Sequence, residues 1–251
     1  MLAEWDETLG GRLSRRNLLA AGVAGVVPAA ATAATFRGEM PWTGGAQAPH
    51  SNSAESARYI FFTSAEAAFV EAAADRMIPE DELGPGALKA GVPEFIDRQL
   101  AGEFGQGRRW YMQGPWPKGD DTQGYQSRLT PAGLYRASIK AIDDGVAHQF
   151  HGETFAHLSV SDRDAVLSKL ESGEFHLGQI DSKSFFDMFL QNVMEGFWSD
   201  PIYGGNRDMV GWKLIGFPGA RYDQRPFVLQ HGQRYPLPPV GLKGRKAWTE
   251  S

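Results

Sequence analysis

Apolar side chains recur at helical spacing in five segments of the chain, and each segment has recognisable end signals. In the first segment, positions 65, 69, 72, 73 and 77 are apolar. Thr63-Ser64-Ala65-Glu66 has the form of a capping box, and Pro79 ends the pattern because proline cannot continue a helix. The pattern therefore predicts a first helix over 64–78.

The second and third predicted helices begin with proline in the first turn, where its missing N–H has no helical partner to lose. Pro93 starts a helix whose apolar face continues over 94–100. Thr130 and Pro131 supply the N-cap and the first turn of a longer helix that reaches about position 150.

The fourth and fifth predicted helices differ in character. The fourth spans 158–173, with Ser159 or Ser161 as its cap and a C-terminal glycine. The fifth spans 182–197 and is apolar on nearly every face, so we expect it to be buried at the centre of the domain. Its large apolar residues are Phe185, Phe186, Met188, Phe189, Leu190, Val193, Met194 and Phe197.

No segment alternates between polar and apolar residues as a half-buried strand would. The predicted fold class is therefore mostly α: a small helical domain of about five helices, with long aromatic-rich loops. We place this domain over 61–220, after a linker or partner-contacting arm over 35–60 and before an extended, Pro-rich tail over 221–251.

The first long loop, 105–128, combines aromatic residues with arginine, glycine and proline. Trp110, Tyr111 and Trp116 are of residue types that are favoured at protein interfaces. They either anchor a partner or fold over the core of their own domain, and the sequence leaves both interpretations open.

The second irregular segment, 200–219, mixes glycines, aromatics and charges at a density that neither a helix nor a strand favours. Asp200-Pro201 ends the helix before it, because proline disfavours helical geometry in its predecessor. Gly204-Gly205-Asn206 adopts positive φ easily, which predicts a tight reversal. An irregular segment with so much apolar mass is typical of a binding loop. Its large apolar residues are Met209, Val210, Trp212, Leu214, Ile215 and Phe217.

The polar residues of this segment allow two interpretations. Backbone amides of Gly204-Gly205-Asn206 and the guanidinium of Arg207 could hold a phosphate or a carboxylate, unless Asp208 pairs with Arg207 instead. We favour a structural role, in which Asn206, Arg207 and Asp208 lock the backbone, because buried loop groups must find hydrogen-bond partners.

The sequence motif of this segment resembles the signature of the gluconate 2-dehydrogenase subunit 3 family. It reads Asp-Pro-x-Tyr-Gly-Gly-Asn-Arg-Asp from Asp200, and then Gly-Trp-x-x-Ile-Gly-Phe-Pro-Gly-Ala up to Ala220. The resemblance implies a small subunit of membrane-associated sugar and sugar-acid dehydrogenases. Such a subunit works with a large FAD-carrying catalytic subunit and a multihaem cytochrome c subunit.

Together with Trp110, Tyr111 and Trp116, the signature supplies the candidate partner-contacting residues. They are Asp200, Pro201, Tyr203, Gly204, Gly205, Asn206, Arg207, Asp208, Trp212, Gly216, Phe217, Pro218 and Gly219. The resemblance places FAD in the large subunit and haem c in the cytochrome subunit, with no cofactor in this chain.

The N-terminus has the parts of an export signal. Arg15 and Arg16 directly precede an apolar run that contains Leu18 and Leu19, and a string of small residues follows up to Ala34. Ser-Arg-Arg-x-Leu-Leu resembles a twin-arginine signal, which predicts a signal peptide over 1–34 and a periplasmic location. The alternative is an amphipathic helix with an incidental arginine pair.

Composition excludes several other functions. The chain has 251 residues and no cysteine, so it cannot hold a cysteine-ligated iron–sulfur cluster, a thioether-linked haem or a disulfide. A net charge of -5 argues against nucleic-acid binding. The chain contains neither a glycine-rich nucleotide motif nor a Gly-x-Ser-x-Gly elbow.

Two clusters of possible metal ligands lack the spacing that a metal site needs. Glu80-Asp81-Glu82 has no later ligand at the distance that a calcium loop requires, so we interpret it as a solvated turn. His148 and His151 lie three residues apart, but no carboxylate completes a ligand set, so we interpret them as surface histidines.

The sequence and the resemblance together predict a non-catalytic small subunit that stabilises a flavoprotein and carries it through twin-arginine export. Membrane contact would come only through the partners. The competing hypothesis is a free-standing exported protein that binds a ligand between loops 105–128 and 200–219. A third, weaker hypothesis is a lone hydrolase or oxidoreductase built on Asp, Arg and Tyr.

Overall fold

The computed structural model describes residues 58–116 and 119–243. The predicted signal peptide, with Arg15, Arg16, Leu18 and Leu19, lies outside these residues, as does most of the predicted arm. The described part of the chain contains six α-helices and three isolated β-bridges, but no β-strand. None of its helices is long and apolar enough to cross a membrane. The mostly α fold class is confirmed, with one helix more than the five predicted.

The first two helices begin close to where the sequence places them. Helix α1 spans Ser64–Met77, and its capping box is present: the N–H of Thr63 donates to Oε2 of Glu66 at 2.8 Å, and Thr63 Oγ1 accepts from the N–H of Glu66. Helix α2 spans Val92–Ala101, with proline in its first turn.

The next two helices also keep their predicted caps. Helix α3 spans Pro131–Gln149, and the hydroxyl of its N-cap, Thr130, accepts from a first-turn N–H at 3.2 Å. Helix α4 spans Val160–Ser172. Ser159 rather than Ser161 is its cap, and the left-handed residue Gly173 closes it.

Helix α5, Ser182–Trp198, is the central helix of the domain and packs against all four preceding helices. Phe185 and Phe189 are fully buried and stack on each other, and Tyr135 of α3 meets the ring of Phe185 edge-on at 5.5 Å. Burial raises the pKa of the Tyr135 phenol, whose oxygen accepts a hydrogen bond from Asn192 at 2.8 Å. The predicted central position is confirmed, although Leu190 and Met194 on one face remain exposed.

The segment predicted to be an irregular loop contains three short helical pieces. They are the 3₁₀ turns Pro201–Tyr203 and Arg207–Met209 and the six-residue helix α6, Val210–Ile215, which ends at the left-handed Gly216. The prediction of a wholly irregular segment was therefore wrong for 210–215. Six residues show too little of the helical period to be recognised, and an isolated helix of this length is unstable without tertiary contacts.

The start of the described chain is attached to α2 through a buried carboxylate. Asp97 is almost fully buried and accepts backbone hydrogen bonds from Ile60, Phe61 and Phe62 at 2.7, 2.9 and 2.9 Å. Three N–H donors offset the desolvation of this charge. The contact fixes the place at which the preceding arm joins the helical domain.

Candidate functional site

The reversal at Gly204-Gly205-Asn206 lies directly on the backbone of α5. Gly204 has the positive φ of 101° that the sequence predicts for a tight turn. The N–H of Asn206 donates to the carbonyl oxygen of Gly196 at 2.8 Å. A Cβ on Gly205 would lie 2.1 Å from that same oxygen, so glycine is required here by close approach.

Asn206 links the end of α5 to the start of α6. Its side chain is completely buried; Nδ2 donates to the carbonyl of Ser199 at 2.8 Å, and Oδ1 accepts from the N–H of Gly211 at 2.9 Å. Every polar atom of the amide side chain is therefore used within the fold. The structural role that we favoured from the sequence agrees with these contacts.

Arg207 approaches Glu94 of α2 rather than the neighbouring Asp208. The guanidinium of Arg207 lies 3.6 Å from Oε1 of Glu94. The backbone N–H of Arg207 donates to the carbonyl of Ala90 at 2.9 Å. Arg58 reaches the same carboxylate oxygen at 2.7 Å, while Glu94 itself is buried. The start of the described chain and the signature segment therefore share one carboxylate, which makes Arg207 less available to hold an external anion.

Three residues that are not glycine adopt the left-handed conformation in the signature: Asn206, Asp208 and Met209, with φ of 43°, 57° and 56°. Each such residue costs about 1–3 kcal/mol and persists only where the surrounding structure holds it, and strain of this kind concentrates at functional sites. The N–H of Met209 donates to the carbonyl of Asn206 at 2.8 Å, which helps to hold the turn.

Trp212 of α6 belongs to the core. Its indole N–H donates to the carbonyl of Trp198 at 2.7 Å, and its ring is nearly covered. Phe217 packs edge-on against it at 5.2 Å but keeps 44% of its surface exposed. The two aromatics therefore have different roles: Trp212 anchors the segment, and Phe217 lies at its surface.

The remaining small residues of the signature shape its turns. Pro201 opens the first 3₁₀ turn, and Pro218 accepts a hydrogen bond from the N–H of Val240 at 3.2 Å. Gly219 has φ of 76°, and a Cβ on it would lie 2.2 Å from the carbonyl oxygen of Val240. Glycine is therefore needed at this position for both its conformation and its contact.

Asp200 joins the signature to the C-terminal part of the chain. One carboxylate oxygen accepts from the N–H of Ile202 at 2.9 Å, and the other accepts from the N–H of Leu242 at 2.7 Å. Sequence reasoning placed Asp200 at the end of a helix and among the candidate partner-contacting residues. No sequence signal predicts its second contact, because 42 residues separate the two partners.

Five large apolar side chains of the signature are 42% to 62% exposed, although the segment that carries them is anchored in the core. We call them the signature surface. They are Ile202, Tyr203, Leu214, Ile215 and Phe217. Exposed apolar groups on a fixed backbone are typical of a surface that binds another protein.

Tyr203 also lines a shallow groove of about 400 Å³ between α2 and the end of α5. The other lining residues are Phe95, Gln99, Glu195, Trp198 and Ser199. Among the described residues of loop 105–128, which are 105–116 and 119–128, none lines this groove, so these residues do not form with it the shared cleft that the ligand-binding hypothesis requires.

The aromatics of loop 105–128 divide between core and surface. Trp110 is half-buried and packs between Phe104 and Tyr125, with ring centres 5.7 and 4.8 Å away. Tyr111 is exposed, and Trp116 is half-buried. Packing over the domain's own core therefore describes Trp110, whereas contact with a partner stays a prediction for Tyr111 and Trp116.

No group of three or more His, Cys, Asp or Glu residues that could hold a metal ion occurs in 58–116 or 119–243. In the acidic turn, the backbone of Asp81 pairs with that of Gly84, and Glu80 forms an ion pair with Lys89. His148 and His151 are exposed.

Comparison with known proteins identifies the family. A family model described as gluconate 2-dehydrogenase subunit 3 matches residues 64–219, from the first residue of α1 to the last glycine of the signature. Neither the curated proteins nor the solved structures give a match. The matched region is more than half of the chain and contains all six helices and the anchored signature. The chain therefore belongs to the gluconate 2-dehydrogenase subunit 3 family.

Proposed function

We propose that this chain is a non-catalytic accessory subunit of a periplasmic, FAD-dependent sugar or sugar-acid dehydrogenase. The large partner subunit removes a hydride from an alcohol carbon and passes it to FAD. Electrons then move to haem c in a cytochrome subunit. This chain binds and stabilises the flavoprotein and carries it through twin-arginine export. Membership of the subunit 3 family supports the proposal.

The observation that carries the proposal is the signature surface, in which exposed apolar side chains stand on a fully anchored backbone. Asn206 and Trp212 fix the segment to the end of α5 through buried hydrogen bonds. A surface fixed in this way loses little conformational entropy on binding, and affinity increases for that reason. The flavoprotein would cover Ile215 and Phe217, which the free chain leaves in water.

The groove beside Tyr203 gives the same surface a recess. Its walls are largely apolar and include Phe95 and Trp198, with Glu195 also in the lining. A projecting side chain of the large subunit fits such a recess, and anchors in central pockets supply most of the energy in protein interfaces.

Binding to the flavoprotein is tested by co-purification from the native host with a C-terminal tag on this chain. The eluate should contain a larger subunit and show a flavin absorption spectrum. Ile215→Ser with Phe217→Ser should remove the flavin band, while the free chain stays folded and its melting temperature falls only by the loss of the partly buried contact of Phe217 with Trp212. Leu83→Ser is the matched control, since Leu83 is 76% exposed but lies in the turn before α2.

A colourless protein eluting alone would contradict the subunit proposal. Unchanged flavin content in the double variant would leave the partnership in place but move its interface away from the signature surface.

Export is tested separately by Arg15→Lys with Arg16→Lys, because twin-arginine transport depends on the arginine pair. The flavoprotein should disappear from the periplasm and accumulate, still bound to this chain, in the cytoplasm. Periplasmic flavoprotein at the unaltered level would contradict the export role.

A further inference from the structure

The C-terminal loop, residues 221–239, leaves the domain and returns to it at the same place. The N–H of Ala220 donates to the carbonyl of Val240 at 2.7 Å, and Asp200 accepts from the N–H of Leu242 just beyond. The base of the loop is thus closed against the signature. The family match ends at residue 219, so the loop follows the part of the chain that the family model covers.

Ring contacts and local hydrogen bonds fold part of this loop upon itself. The rings of Phe227 and Tyr235 pack at 4.6 Å, and the guanidinium of Arg221 lies 5.4 Å from the centre of the Tyr235 ring. By contrast, Tyr222 is 100% exposed and Leu229 is 87% exposed. A loop that is closed at its base but presents large apolar side chains to water has the form of a binding element.

The loop is positively charged on an acidic protein. Residues 221–239 contain three basic residues and one acidic residue, whereas the whole chain contains 25 basic and 30 acidic residues. The one acidic residue, Asp223, pairs with Arg225 at 2.9 Å. Arg234 is exposed and forms no ion pair within the described part of the chain. The unpaired charge would favour an acidic counterpart.

We propose that the C-terminal loop is a second contact site for the flavoprotein, and that it binds an acidic surface of that subunit with an apolar recess for Leu229. This inference rests on the proposed function and adds a site outside the family signature. Because the base of the loop adjoins the signature, one partner can occupy both surfaces.

A protein surface suits this loop better than a lipid surface. The loop is mostly irregular, and its glutamines at 224, 230 and 233 are exposed beside its apolar residues. Inserting such a segment into hydrocarbon would bury backbone and amide groups without partners, at a cost of several kcal/mol each. A protein partner can supply hydrogen bonds to these groups while it covers Tyr222 and Leu229.

The test uses full-length exported protein and purified flavoprotein, and it measures their dissociation constant at about 50 and about 300 mM NaCl, which differ strongly in electrostatic screening. Leu229→Ser with Arg234→Glu should weaken binding about tenfold or more at the lower salt concentration, as expected for losing an apolar anchor and reversing a charge. Unaltered protein should lose affinity as salt increases, and Arg234→Glu should lose less. Leu83→Ser is again the control, and unchanged circular dichroism should show that each variant is folded.

Three results would overturn the inference. Equal affinity of the loop variant and the unaltered protein for flavoprotein would reject the second contact site while leaving the subunit role intact. Absence of any binding by the unaltered protein would reject the proposed function and this site with it. Binding to phosphatidylglycerol vesicles that the variant loses, with unchanged affinity for flavoprotein, would assign the loop to a lipid surface instead.

Discussion

A Cβ on Gly205 would lie 2.1 Å from the carbonyl oxygen of Gly196, so at this point the signature segment and the central helix meet backbone to backbone. The same oxygen accepts the N–H of Asn206 at 2.8 Å, which fixes the distance between the two elements. The exposed signature surface therefore has its position set by the central helix of the domain. Variants at this contact should affect stability and partner binding together.

Gly205→Ala should destabilise the domain by about 2–4 kcal/mol, because neither backbone can move aside without breaking hydrogen bonds. Thermal or urea unfolding of the exported protein measures the change. Gly102→Ala is the matched control: its added Cβ would be 3.4 Å from the nearest atom, and its φ of -92° suits alanine. Equal stability of the two variants would show that the turn can retreat from α5.

Asn206→Asp should cost about 2–4 kcal/mol at neutral pH, because it places a charge in a fully buried site and turns an acceptor toward the carbonyl of Ser199. A protonated carboxyl could still donate to that carbonyl. The pKa of the introduced carboxyl should therefore be higher in the folded than in the unfolded protein.

The direction of the pH effect in this variant follows from that difference. A group with a raised folded pKa binds its proton more tightly in the native state, so stability falls as pH rises from the unfolded value of about 3.9 to the folded value. Urea unfolding between pH 4 and 8 should show that the free energy of unfolding of the variant falls further below that of the unaltered protein as pH rises. A deficit independent of pH would mean that the introduced carboxyl reaches water.

Asp200→Ala should release the base of the C-terminal loop, because the N–H groups of Ile202 and Leu242 lose the carboxylate oxygens to which they donate at 2.9 and 2.7 Å. The expected loss is about 1–2 kcal/mol, typical of an Asp cap and a further hydrogen bond. Hydrogen exchange at Leu242 and Val240 should accelerate more than exchange in α1. Asp200→Asn keeps one acceptor oxygen and should show an intermediate effect; full protection in both variants would contradict the anchoring role.

The Asp223 carboxyl should titrate well below its ordinary value, because the side chain of Arg225 and its backbone N–H both donate to it and lower the pKa to about 2. The carboxyl is exposed, so we expect a local effect on the loop. Because the pKa of Asp223 is lower in the folded than in the unfolded protein, its ion pair with Arg225 is complete above pH 3.8 and is lost as pH falls through about 2.

Carboxyl carbon chemical shifts followed by NMR measure this titration directly. Arg225→Gln should move the midpoint of Asp223 upward toward 3.8, whereas Arg234→Gln should leave it unchanged. A midpoint near 3.8 in the unaltered protein would show that the pair does not form in solution.

Local chemistry made much of the fold predictable. Thr63, Thr130 and Ser159 each supply a cap that their own neighbours use, so the starts of α1, α3 and α4 follow from a few adjacent residues. Helix α5 is apolar on nearly every face, and such a helix must be covered by other elements, so its central position also follows from its own sequence. The signature was recognisable because its spacing of glycine and aromatic residues is rare.

The partners of the charged signature residues could not be predicted in the same way. Arg207 lies beside Asp208 in the chain yet approaches Glu94 of α2, and the backbone of Asp208 is turned into a left-handed conformation. Which carboxylate an arginine reaches depends on how separate elements pack. Short α6 depends on packing too, since Gly211 fits against the end of α5, where a Cβ would be 2.4 Å from the carbonyl of Phe197.

The sequence by itself determined the five longer helices, several of their caps, the central apolar helix and the family, because periodicity, capping and motif spacing act over a few neighbouring residues. Only the tertiary structure decided which aromatics face water, that Asp200 holds Leu242, and that the positively charged C-terminal loop returns to the signature. These features join residues far apart in the chain, and their geometry exists only once the helices have packed.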